Sequence, residues 1–153
     1  MNNSNTDIQV KPSPIFAFIK ASPYILLAGA FLFPANRYFP GLIWFSQACI
    51  LFAIYRYLFI RKAVYLVTDQ YIRISRGIFF KQIETVELFR VKDYIITEPF
   101  LLQVLHLMDV HLKTTDPEAP EIWLRGIPQS DLIDIIRERV LETRQHNRIL
   151  EIN

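Results

Sequence analysis

Two long apolar runs, Ile15–Phe33 and Leu42–Ile60, constrain this chain more than anything else in it. Each has nineteen residues, ten of them Leu, Ile, Phe or Val. A helix needs about 20 mostly apolar residues to cross the hydrocarbon layer, and each run reaches that by extending a little into its flanks. Ten such residues favour insertion by at most about 3–6 kcal/mol, which a central cation costing about 3 kcal/mol would largely offset. Neither interior charge is central: Lys20 lies early in the first run and Arg56 late in the second. In an antiparallel hairpin both fall at the same membrane face, where their side chains reach the interface. Pro34 to Gly41, with two prolines and a glycine, reads as the reversal between the helices.

Charge sets the orientation. Lys11, Lys20, Arg56, Arg61 and Lys62 gather at one face and Arg37 stands alone at the other, so both termini are expected in the cytoplasm. Tyr38 and Trp44 suit an aromatic belt on the outer side, and Tyr55, Tyr57 and Tyr65 suit one on the inner side. The first ten residues carry no basic group, so a cleavable secretory leader is not expected and the apolar runs are expected to remain. Residues 1–62 hold six bases and one acid, net +5; residues 63–153 hold eleven bases and fourteen acids, net −3; together these give +2. The basic excess thus flanks the apolar runs, and no nucleic-acid partner is expected.

From Ala63 continuous apolarity gives way to alternation. Tyr65–Thr68 and Tyr71–Ser75, joined at Asp69-Gln70, read as strands, with Ile72 and Ile74 on the buried face. Gly77 marks a turn. Ile78–Leu88 and Phe89–Thr97 read as two further strands. Met108, Val110 and Leu112 alternate with Asp109, His111 and Lys113; after the acidic loop Thr114–Pro120, Ile122 and Leu124 alternate in a last strand. Gly126-Ile127-Pro128 is expected to break the sheet. A closing amphipathic helix follows, with Ser130 as N-cap, Asp131 and Asp134 at its positive end, and Ile133, Ile136 and Val140 inward. It is expected to fray near Asn147.

Catalytic signals are thin. The four glycines stand at 29, 41, 77 and 126, so no phosphate-cradling loop is present, and no nucleophile or metal motif matches. Cys49 is a single thiol in an apolar run, read as a packing residue. His106 and His111 are five apart, which on one regular strand sets them on opposite faces. Glu84, Glu87, Asp93 and Glu98 read as acids on a wet strand face. No enzyme activity, cofactor or metal is expected.

The order of elements resembles the bacterial pleckstrin-homology-like (PH-like) membrane proteins over about residues 15–145. The residues that carry the likeness are Tyr65-Leu66-Val67-Thr68, Gly77 after the second strand, Val86-Glu87-Leu88-Phe89-Arg90-Val91-Lys92-Asp93 and Leu124-Arg125-Gly126-Ile127-Pro128. Where that family often carries a glycine-bearing turn after Asp93, Phe100–Met108 has none. The resemblance implies an α+β chain: a two-helix transmembrane hairpin followed by a small PH-like barrel of strongly bent sheets with a C-terminal helix.

The expected divisions are a polar tail at 1–14, the hairpin at 15–62 with helices near 15–36 and 41–60, a cytoplasmic PH-like domain at 63–147 and a tail at 148–153. The expected role is non-enzymatic: presenting the domain at the inner membrane for a protein partner or a second copy. Headgroup or membrane-stress sensing, and an accessory role in a membrane enzyme or transporter, stay open as alternatives. Candidate contact residues are Arg73, Arg76 and Lys81 around the second turn, facing anionic lipid, and Arg90 with Asp93 as a fixed polar pair or partner contact.

Overall fold

The computed structural model describes residues 7–146. The chain runs through strand β1 (Ile8–Val10), helices α1 (Pro14–Arg37) and α2 (Leu42–Arg61), strands β2 (Val64–Val67), β3 (Tyr71–Arg76), β4 (Gln82–Glu87) and β5 (Val91–Thr97), short helix α3 (Phe100–Val104), strands β6 (Leu107–Thr114) and β7 (Glu121–Pro128), and helix α4 (Leu132–His146).

Sequence chemistry starts and shapes α1. Ser13 caps it by accepting from the Ile15 N–H at 3.3 Å, and Pro14 occupies the first turn, where a missing N–H costs nothing. Pro23 lies inside the helix and cannot donate to the Ile19 carbonyl; Ser22 Oγ donates to that carbonyl instead, at 2.8 Å. Pro34 is also within the helix, and its own carbonyl accepts from Tyr38 and Phe39. The reversal is therefore shorter than Pro34–Gly41 and confined to residues 38–41.

The two helices meet along a seam of small residues. Ala21, Ala28 and Ala35, seven apart, are buried on α1, and Ser46 and Ala53, also seven apart, on α2. Ser46 Oγ donates to the Ala28 carbonyl at 2.9 Å, tying the backbones closely. The large side chains point outward: Leu26, Phe33 and Trp44 are each more than 70% exposed.

The strands form two antiparallel sheets, β1-β2-β3-β4 and β5-β6-β7. The expected polar tail supplies β1, pairing Ile8 with Val67 and Val10 with Tyr65. The helical hairpin is thus inserted between two neighbouring antiparallel strands. Adjacent strand ends lie side by side, so the hairpin must leave and re-enter the sheet at one place. Alternate residues of both sheets, including Val67, Ile72, Ile74, Val110, Leu112, Ile122 and Leu124, are buried together under Leu132, Ile136 and Val140 of α4. The β2–β3 turn is closed by Thr68, whose Oγ1 accepts from Tyr71 N–H at 3.0 Å and donates to Tyr71 O at 2.8 Å.

Several local expectations are corrected. Residues 78–81 form the turn after Gly77 and only Gln82–Glu87 is strand; Leu88–Arg90 is a single 3-10 turn with Leu88 in the core. Phe100–Val104 is helical, and the chain turns into β6 through His106, at φ 53° in the left-handed region that a glycine usually fills. Strand β7 continues through Gly126 to Pro128. Gly126, at φ 62°, lies beside a register shift at Met108/Val110, so it bends the strand without ending it. Asp131, whose carbonyl accepts the first helical bond from Ile135, caps α4 in place of Ser130. Tyr65 is 3% exposed within the sheet core and does not join an aromatic belt. The expected fraying near Asn147 and the tail at 148–153 lie outside the described residues.

Candidate functional site

The hairpin is clamped onto the sheets by three contacts close in sequence. Ser13 N–H donates to the Gly126 carbonyl at 2.8 Å, and Arg61 Nη1 donates to the Pro12 carbonyl at 3.1 Å. Phe16, 3% exposed, lays its ring where a side chain at Gly126 would sit. Phe16 also packs with Leu102 of α3 and Leu107 of β6, with Ile60 of α2 alongside. Glycine is required at 126 twice over, by its backbone angle and by this close approach.

Beside the clamp is a cavity of about 300 Å³. Its walls come from α1, α2, β2, β3 and β7, and four of its lining residues are cations: Lys20, Arg56, Arg76 and Arg125. No carboxylate among the described residues lines it, and none of the four cations is in an ion pair among them. The apolar walls include Phe16, Phe59, Ile60 and Trp123.

Two of the cations are held in place. Arg76 Nη2 donates to the Trp123 carbonyl at 2.9 Å, bridging the two sheets. Arg125 lies over the Trp123 ring, its guanidinium carbon 5.0 Å from the centroid. Trp123 also stacks on its cross-strand neighbour His111, at 4.0 Å between centroids and 5° between planes. His111 is itself 8% exposed, with Nε2 3.3 Å from Glu121. Lys20 Nζ sits 5.5 Å from the centre of the Phe16 ring. Tyr65 lines the cavity, and its hydroxyl accepts from the Arg125 N–H at 3.3 Å. Burial pushes the Tyr65 phenol up from its ordinary value, against the opposing pull of that N–H and of Arg76, so it stays a neutral hydroxyl.

The residues singled out from the sequence do not form one site. Arg76 lines the cavity. Arg73 is on the outer face of β3 over Tyr71, and Lys81 is exposed in the next turn. Arg90 and Asp93 lie at the opposite end of the strands and do not pair. Arg90 binds Glu87 at 3.1 Å and Asp116 at 3.7 Å, because the 3-10 turn carries its guanidinium toward the β6–β7 loop; Asp93 accepts from the Tyr94 N–H at 2.9 Å. Lys20 and Arg56, read from sequence as sharing one membrane face, do converge on the same cavity. Arg125, Trp123 and Tyr65 were missed: strand alternation shows that a side chain leaves the core but not what it meets. Among the described residues no three His, Cys, Asp or Glu side chains are grouped to hold a metal.

The domain's five most exposed large apolar residues lie at the hairpin end, while Ile83, Ile95, Ile96 and Leu141 are exposed to a lesser degree. Phe79 and Phe80 cap the β3–β4 turn at 83% and 93% exposure, and Phe100, Leu101 and Val104 stand out from α3. Strand pairing fixes this placement: Arg76 and Val64 lie at the hairpin end of the first sheet, and Leu107 pairs with Pro128 at the same end of the second. A family model described as bacterial PH domain matches residues 15–143, taking in the helices as well as every strand after β1. No match was found among curated proteins or among solved structures.

Proposed function

The chain belongs to the bacterial PH domain family, and from that we propose that it is a multi-pass inner-membrane protein with both termini cytoplasmic, a non-enzymatic module holding one end of its PH-like domain against the lipid. The observation that carries this is the gathering of Phe79, Phe80, Phe100, Leu101 and Val104 at the end where the helices leave. Exposed apolar surface on that scale marks a contact with something other than water. Lipid is the medium in which both the hairpin and this rim would be satisfied.

The helices support the same reading. They are 24 and 20 residues long, about 36 and 30 Å, against a hydrocarbon layer of about 30 Å. The core helix of a soluble protein is mostly buried, whereas only 22% and 11% of their most apolar windows are. With one end on lipid, the far end, where Arg90, Glu87 and Asp116 form a charged cluster, faces the cytoplasm and is the surface offered to a protein partner or a second copy.

The test is solvent accessibility in sealed inverted inner-membrane vesicles. Cysteines introduced one at a time at Asn36, Phe80 and Asp116 are treated with a membrane-impermeant maleimide, with the native Cys49 changed to Ala. Position 116 is expected to label fully, 80 slowly, and 36 only after detergent. Release of the whole protein into carbonate buffer, or equal labelling at 36 and 116, overturns the topology. A photocrosslinking residue at 116 then reads out the partner; attachment to lipid alone removes the scaffolding role.

A further inference from the structure

Four cations line an open cleft of about 300 Å³ with no carboxylate in its lining; Asp109, which acts on Tyr65 from nearby, is engaged by the Gly126 N–H. Like charges converging beside a low-dielectric wall repel one another unless an anion sits between them. Their geometry is also selective. Arginine presents a planar fork of donors that matches tetrahedral oxyanions, and three of the four are arginines. Arg76 is already fixed to the Trp123 carbonyl and Arg125 is held over the Trp123 ring, so two of the three forks are positioned before any ligand arrives. Phe16, Phe59 and Ile60 continue the cavity wall onto the hairpin, giving an apolar track beside the charged end.

We propose that this cavity binds a phosphate group, with Arg56, Arg76, Arg125 and Lys20 as its ligands and the neutral Tyr65 hydroxyl as a further donor. The size suits one phosphate and a short polar head, at the small end of the roughly 300–1,000 Å³ span of ligand pockets. Phosphate of this kind has two sources beside a membrane, an anionic phospholipid and free phosphate. The inference rests on the membrane placement proposed above.

The chain has two tryptophans, and they separate the two ideas. Trp44 sits near the outer end of α2, 79% exposed, and Trp123 lines the cavity. The full chain is reconstituted in phosphatidylcholine vesicles containing one-fifth phosphatidylglycerol, with bromine on the acyl chains of either lipid in turn. Fluorescence is read in Trp44→Phe and Trp123→Phe forms. The expected result is that Trp44 is quenched alike by both brominated lipids, whereas Trp123 is quenched preferentially by brominated phosphatidylglycerol. Arg56→Gln with Arg125→Gln lowers that preference about thirtyfold, the change for two cations at about 1 kcal/mol each. Both side chains are exposed and neither donates a described hydrogen bond to the fold, but Arg125→Gln also removes the cation over the Trp123 ring, so Arg56→Gln alone, expected to lower the preference about fivefold, reads charge with that contact intact.

Inorganic phosphate is titrated in the external buffer as the second arm. If it shifts Trp123 emission at millimolar concentration, and the double variant abolishes the shift, the ligand is free phosphate and the site stands. If Trp123 is indifferent to headgroup and to inorganic phosphate, or responds equally in the double variant, the site is overturned while Trp44 still reports insertion. If Trp44 is quenched by neither lipid, the membrane placement falls, and the inference falls with it.

Discussion

Gly126→Ala is the sharpest test of how hairpin and sheets are joined. The substitution asks an alanine to hold φ 62°, which costs about 1–2 kcal/mol. It also places a methyl group on the Phe16 ring, which must leave. Phe16 is 3% exposed, and losing that burial costs about 1.5–3 kcal/mol. The expected total is about 3–5 kcal/mol, or a fall of about 10 °C in Tm for a chain of this size. The assay is thermal unfolding in a non-denaturing detergent, followed by Trp123 emission in the Trp44→Phe form. Phe16→Ala supplies the control: with the ring gone, the clash that Gly126→Ala makes with it is removed and the substitution should cost mainly its backbone strain. The double-mutant cycle therefore predicts a coupling of about 2 kcal/mol. If Gly126→Ala costs the same in both backgrounds, Phe16 does not seat on Gly126 and the clamp is wrong.

Other positions give independent checks. Ser46→Ala should lower hairpin stability by only about 0.6 kcal/mol, the usual worth of an interhelical hydrogen bond in lipid, whereas Ser46→Leu should cost about 1–3 kcal/mol by forcing the Ala28 seam apart. Detergent melts of the two variants decide it, and a leucine tolerated like alanine would refute the seam. His106→Gly should raise stability by about 0.5–1 kcal/mol, because the left-handed backbone is relieved and the exposed imidazole loses little, as a rise in Tm would report. Tyr65 gives a pH prediction. Its folded pKa is raised, so the stability tied to its neutral form is complete below the unfolded value of about 10 and is lost as pH rises through the folded value. In an ultraviolet titration of the seven tyrosines, Tyr65→Phe should remove a late component; removal of an early one contradicts the burial.

Much of the architecture is legible along the chain because it follows from local periodicity. Ile72 and Ile74, Met108, Val110 and Leu112, and Ile122 and Leu124 each announce a strand with one buried face, and all seven are buried. The α4 residues Ile133, Ile136 and Val140 announce a helix by the same argument. Irregular places are less legible. Phe100–Val104 has the apolar content of a strand but is helical, and Gly126-Ile127-Pro128 has the composition of a breaker but stays in the ladder. Local propensity there is outweighed by what the segment packs against: Leu102 on Phe16, and Gly126 under the same ring. The short strand Ile8–Val10 carries almost no signal of its own, since its stability comes from pairing with Val64–Val67 across the whole hairpin.

The candidate site divides in the same way. Sequence alone determined that two apolar helices precede a β-rich domain, and that Lys20 and Arg56 share one face, because both facts depend only on run length and on spacing along a helix. Only the tertiary structure decided that Arg76 and Arg125 come to meet them, that Arg90 turns away to Glu87 and Asp116, and that Phe16 locks the two parts together. Those meetings join residues up to about a hundred positions apart. No local pattern encodes them; the register of paired strands and the point at which the hairpin leaves the sheet do.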